Sequence, residues 1–175
     1  MSIEPGTYEL GPEDGTLTVE TTRRGAAQKA GHDLVMEVTS WSATLVIGDE
    51  SSLTLTADGA SLKVLQGTGG LRKLDDEDKA GIEQTIDEEV LERAGIEFRS
   101  SKVERTDDGA TVEGELELAG RKQPVSFDLH GDDGHLTGRA TVTQSGWGLE
   151  PYTALFGTLK VADEVVVAID ARLGS

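Results

Sequence analysis

Thr111-Val112-Glu113-Gly114-Glu115-Leu116-Glu117-Leu118 and, just after it, Val125-Ser126-Phe127-Asp128-Leu129-His130 decide the fold class of this chain. In the first run Val112, Leu116 and Leu118 point one way, and Glu113, Glu115 and Glu117 the other. In the second, Val125, Phe127 and Leu129 oppose Ser126, Asp128 and His130. A period of two with one apolar and one polar face is the pattern of half-buried β-strands.

The pattern spreads outward from there. Leu136, Gly138, Ala140 and Val142 oppose Thr137, Arg139, Thr141 and Thr143, and Val165, Val167 and Ile169 oppose Val166, Ala168 and Asp170. The N-terminal half repeats it less cleanly in Leu17/Val19, Leu34/Met36/Val38, Leu45/Ile47, Leu53/Leu55 and Leu62/Val64. Asp-Gly pairs at Asp14-Gly15, Asp58-Gly59, Asp108-Gly109 and Asp133-Gly134 punctuate these segments and supply the positive φ angles of tight hairpins. Hairpin after hairpin gives an antiparallel meander, and closing the meander into a barrel removes its exposed edges.

One segment departs from period two. From Asp75 to Ala94 the apolar residues fall at Ile82, Ile86 and Val90, with Leu91 close by, which is one helical stripe on an acidic surface. Asp75 or Asp76 is placed to cap its start, and Gly95 stands where a left-handed C-cap belongs. The helix is read as a lid or flank on the barrel, or as a plug at one end of it.

A length of 175 residues fits one domain, and no linker or repeat divides it, so a single domain over 1–175 is expected. A chain of that size buries roughly 70% of its unfolded surface, enough for a core without staples. With no cysteine there are no disulfides, zinc-thiolate sites, iron–sulfur clusters or thiol nucleophiles. The opening MSIEPGTYEL shows no signal peptide and no window is long enough for a membrane helix, so a cytoplasmic location is expected. The net charge of −17 repels a phosphate backbone, which argues against nucleic acid as a partner.

Residues with catalytic or ligating chemistry are few. His130 and His135 flank a Gly-Asp-Asp-Gly turn with Asp128 on the face of His130, but that face looks to solvent and the spacing fits no metal motif. No metal or cofactor is expected. His32 precedes an apolar strand and serves either as a hydrogen-bonded structural group or as a ligand contact. Gln144-Ser145-Gly146-Trp147-Gly148 lacks the first glycine of a nucleophile elbow. Gly67-Thr68-Gly69-Gly70-Leu71-Arg72-Lys73 is either a plain connection or an anion nest followed by two cations, with Gly69, Gly70, Arg72 and Lys73 as headgroup candidates. Trp147, Tyr152 and Phe156 gather three of the seven aromatics, at the mouth of a pocket or as ordinary core.

Several stretches together resemble the YceI-like family. Ile96-Glu97-Phe98-Arg99-Ser100-Ser101-Lys102-Val103 is similar to its I-x-F-x-S-x-x-V strand, and 114–125 to its G-x-L-x-x-x-G-x-x-x-P-V hairpin. The run 144–165, with Gly148, Pro151-Tyr152 and Gly157, resembles its C-terminal segment, and His32-Asp33-Leu34 its early strand. The family's opening His-Ser pair is absent, with Gly15-Thr16 roughly in its place. The resemblance implies an eight-stranded lipocalin-like barrel with a helical insertion, binding polyisoprenoid or other long-chain amphiphiles and having no established catalytic residues.

The expected function is therefore a carrier for an isoprenoid or fatty-acid-like lipid, with Leu34, Met36, Val38, Phe98, Leu116, Leu118 and Leu136 lining the lumen and Gly114, Gly138 and Ala140 leaving room in it. The alternatives are an enzyme on such a lipid with His32 as base, and a filled barrel serving a structural or partner-binding role. A homodimer is compatible with the sequence.

Overall fold

The structure is a computed structural model that describes residues 3–24, 33–68, 74–149, 153–154 and 159–173. Its strands are β1 (Gly6–Leu10), β2 (Gly15–Thr21), β3 (Arg23–Arg24), β4 (Asp33–Val38), β5 (Trp41–Ile47), β6 (Ser52–Ala57) and β7 (Leu62–Thr68), followed by helix α1 (Asp76–Thr85). Then come β8 (Ile96–Thr106), β9 (Gly109–Leu118), β10 (Arg121–Asp132), β11 (His135–Thr143), β12 (Thr153–Ala154), β13 (Leu159–Val161) and β14 (Glu164–Arg172). Eleven strands form one antiparallel sheet in the order β1-β5-β6-β8-β9-β10-β11-β14-β2-β4-β7, and β12-β13-β3 form a small second sheet.

The eight strands implied by the resemblance are thus corrected to eleven in the main sheet. The N-terminal half supplies the excess: β1 adds itself outside β5, and β4 and β7 extend the sheet beyond β2. The sheet curls, because Leu10 on β1 and Leu62 on β7, its two outermost strands, line the same cavity. Along each strand the apolar row faces that interior. Leu45, Val112 and Leu136 are the most deeply buried side chains, and the rings of Phe98 and Phe127 meet at 5.4 Å and 56°.

Turn chemistry differs from the sequence expectation. Asp133-Gly134 does adopt paired positive φ angles, 52° and 77°, as the hairpin between β10 and β11 requires. The other such turn is Ala119-Gly120, at 50° and 78°. Gly15 and Gly109 have no positive φ. They are needed for close approach instead: a Cβ on Gly109 would stand 1.8 Å from the Leu129 carbonyl oxygen, and one on Gly15 2.1 Å from that of Asp170. Asp58 caps a short 3-10 turn by accepting from the Ala60 N–H at 2.9 Å.

Asp75 caps α1 in a reciprocal box: it accepts from the Asp78 N–H at 2.7 Å while the Asp78 carboxylate accepts from the Asp75 N–H at 3.1 Å. The helix expected to reach Ala94 ends sooner. After Thr85 it widens into one π-helical turn, Ile86–Val90, closed by Leu91 N–H to the Ile86 carbonyl at 2.8 Å. The chain then leaves through Glu92 and Arg93, at φ 54° and 58°, so these two residues, and not Gly95, take the left-handed exit. Arg93 holds Glu88 at 2.5 Å across this turn.

Helix α1 lies along β7, the last strand of the sheet. The Val64 N–H donates to the Glu83 carboxylate at 2.9 Å, and the Lys63 ammonium stands 3.6 Å from the same group. Leu65 is the extra residue of a β-bulge there, since Val35 pairs with Gln66 and Met36 with Val64. It is also the exposed large apolar side chain among the described residues, at 50% exposure.

Candidate functional site

The inward rows enclose a cavity of about 720 Å³. Every strand of the main sheet contributes to its wall, from Leu10 on β1 and Leu17 and Val19 on β2 round to Leu53 and Leu55 on β6 and Val167 and Ile169 on β14. One end is packed: Ile3 fills the space over Gly131, where a Cβ would come within 2.5 Å of the Ile3 side chain, and Leu45, Ile47 and Val112 pack beside it. At the other end Leu91, Leu118, Val142, Trp147 and Leu149 form a second cluster, into which Ile86, Val90 and Ile96 pack. Ile82, Ile86 and Val90 face the cavity from α1 and its π turn, so this element roofs the lumen.

The wall is polar only under that roof. The polar lining side chains are Thr21, Arg23, Glu77, Asp78, Thr85, Gln144 and Arg139. Arg139 sits on the outward row of β11 and reaches Glu20 outside at 2.7 Å. The remaining six belong to the end of β2, to β3, to α1 and to the turn after β11. Thr21 and Gln144 are the two buried polar residues of the described chain, 7% and 8% exposed. The Gln144 amide nitrogen donates to the Ala162 carbonyl at 3.2 Å, and among the described residues the Thr21 hydroxyl has no hydrogen-bond partner.

Leu34, Met36, Val38, Phe98, Leu116, Leu118 and Leu136 all stand on the cavity wall. Gly138 and Ala140 do too, but neither glycine leaves the expected space: a Cβ would lie 2.7 Å from the Phe98 ring at Gly114 and 2.7 Å from a Leu129 methyl at Gly138. Trp147 is corrected from lining to supporting wall. It is 4% exposed, does not border the cavity, and its indole N–H donates to the Leu116 carbonyl at 2.7 Å. His32, Gly69, Gly70, Arg72, Lys73, Tyr152 and Phe156 lie outside the described residues.

The other two histidines lie on the β10–β11 hairpin, bond different carboxylates and do not line the cavity. His130 meets Asp108 at 3.3 Å, and His135 contacts Asp170. The His130 ring and the Thr106 hydroxyl hold the Asp108 carboxyl below its ordinary range. Arg93, then Gln84, do the same for Glu88. Among the described residues no group of three or more His, Asp or Glu is arranged to hold a metal ion. No described helix is long and apolar enough to cross a membrane.

Thr21 and Gln144 were missed by sequence reasoning. Thr21 continues the inward row Leu17, Val19 at the same spacing, so the alternation itself carried its signal. Gln144 lies in a 3-10 turn, Gln144–Trp147, where no periodicity tells which side chain turns inward.

Solved structures show the same fold. BcnA of Burkholderia cenocepacia is similar at a TM-score of 0.57 and 16% identity, covering 88% of this chain and 94% of that one. The YCEI protein of Campylobacter jejuni is similar at 0.55 and 16%, covering 80% and 85%. A mutant of the latter, with a monobromobimane guest, gives 0.56 and 15% over the same shares. No curated protein matches the sequence. The sequence model of the YceI-like domain matches residues 8–173, nearly the whole of the curled sheet and its roof, and the chain belongs to that family.

Proposed function

We propose that the protein is a carrier that holds a long apolar amphiphile, of polyisoprenoid or fatty-acid-like kind, in a lipocalin-like barrel. The observation that carries this reading is the 720 Å³ lumen, apolar along its walls and polar only beneath α1. Its size falls within the range of ligand cavities, and a water molecule's share of liquid is ~30 Å³, so a chain on the order of twenty methylenes fits. At about 0.8 kcal/mol per buried methylene such a chain offers on the order of 16 kcal/mol gross, before ordering and association costs that take a large part of it. Length therefore supplies affinity, and the polar end supplies orientation. A filled barrel would need an interior packed throughout, and the open volume speaks against it.

Organic extraction of the purified protein followed by mass spectrometry tests the reading. A long-chain lipid in the extract, or a rise in melting temperature on adding prenyl or fatty amphiphiles, is expected. An empty extract together with no thermal shift would overturn it.

A further inference from the structure

We propose that the Phe98 and Phe127 rings form the stop that sets how long a tail the lumen accepts. The inference rests on the carrier reading above and adds tail-length selectivity to it.

Both rings border the cavity, and they meet at 5.4 Å and 56°, within the range that aromatic pairs prefer. They come from β8 and β10, the two neighbours of β9 in the sheet. Gly114 on β9 admits the Phe98 ring over its backbone, since a Cβ there would lie 2.7 Å from it. Phe127 stands opposite Val112, two residues further along the inward row of β9.

Burial changes at this pair. On the roofed side Leu116 and Val125 are only partly buried and pack toward Ile86 and Val90 of the π turn. Phe127 is partly buried too, so its ring reaches open space, with Phe98 more deeply set beside it. Beyond the rings the interior closes. Val112 and Leu45 are wholly buried, Leu129 is nearly so, and Ile3 is seated over Gly131. A tail running down from the roofed end therefore meets the Phe127 ring with packed core behind it. A longer tail must displace rings held by a close-packed interior or leave its last carbons in water. Either way, added length past the stop adds no affinity.

The test uses the full chain and straight-chain primary alcohols of increasing length, each displacing Nile red from the wild type and from F127L, F127A and F127W. Circular dichroism confirms that the variants fold, and F127L and F127W keep the test open should F127A unfold. In the wild type, affinity is expected to climb about fourfold per added carbon up to a break near about twenty carbons, then to level off. Leucine shortens the ring by about three carbons' worth of volume and alanine by about six, so the break should move to tails longer by about two to three and about four to six carbons. Tryptophan should move it to shorter tails. A general loss of stability would lower affinity at every length without moving the break. A wild-type series with no break, or a break that stays in place in the folded variants, overturns the stop and leaves the carrier reading standing. No displacement at any length overturns both.

Discussion

The backbone N–H of Val64 on β7 donates to the side-chain carboxylate of Glu83 on α1 at 2.9 Å. This bond joins the roof of the cavity to the edge of the sheet. α1 has no buried residue of its own and carries Gly81 in its middle, so little else in the helix holds it down. Glu83→Ala removes the acceptor, breaks the ion pair with Lys63 and takes the partner from a strand N–H. A loss of about 1–3 kcal/mol in the docking of the helix is expected. Hydrogen exchange should show faster opening over 76–90, with the β9–β10 hairpin unchanged, and bound amphiphile should leave faster.

Thr21→Val should raise the stability of the protein. Among the described residues the wild-type hydroxyl is buried without a partner, and valine puts a methyl in its place. The gain expected is about 1 kcal/mol, which for a chain of this size is about 2–4 °C in melting temperature. Calorimetry on the delipidated protein checks it, and a lower melting temperature would show that the hydroxyl is satisfied after all.

Ala140→Phe places a ring inside the lumen, since Ala140 lies on the wall beside Val167. Binding of long-chain probes should fall at least about tenfold with the fold intact, because the ring occupies volume the tail needs. Leu45→Ala makes the contrasting case. Leu45 is wholly buried behind the cavity wall and does not line it, so its truncation should cost about 2–5 kcal/mol of stability with a smaller effect on ligand binding than Ala140→Phe.

Acid should loosen the exit of α1 late. The folded Glu88 carboxyl lies below its ordinary value because Arg93 and then Gln84 bond its charged form. A carboxyl depressed in the folded state stabilises fully above its unfolded pKa and loses that contribution as pH falls through the folded one. Protection of the amides over 86–93 should hold above the usual carboxylate range, fall progressively as pH drops from that range towards the lower folded value, and level off below it. Asp108, depressed by His130 and Thr106, should behave likewise at the turn between β8 and β9. Carboxyl chemical shifts followed by NMR titration report both midpoints directly.

The strands from β9 to β11, and β14, were legible because one face meets water and carries Glu, Asp, Thr and Arg while the other carries Val, Leu, Phe and Ile. β1 was not, since only Leu10 of its five residues is fully buried and Tyr8, the other residue on its inner face, is only partly covered by the core. Six of the seven expected lumen residues, Leu34 and Leu116 among them, followed from alternation, and Phe98 came with the family resemblance. The exit of the helix was misread because glycine is the usual left-handed residue, whereas here the π turn brings Glu92 and Arg93 to that position first. Trp147 was misplaced for a different reason: its bulk suits a pocket mouth or a wall equally, and the bond from its indole to Leu116 decides for the wall. The buried polar residues Thr21 and Gln144 were invisible to composition, because a lone threonine and a lone glutamine stand out only once they are seen to be enclosed.

The bulge at Leu65 and the carboxylate on Val64 have a consequence for how the molecule behaves in a crowded mixture. Between them they spoil β7 as a template on which another strand could assemble. Lifting α1 would bare a greasy lumen and a recruiting margin at the same moment. Cargo exchange and self-association are thereby tied to one latch, and weakened-latch variants should be the ones that clump when stripped of lipid.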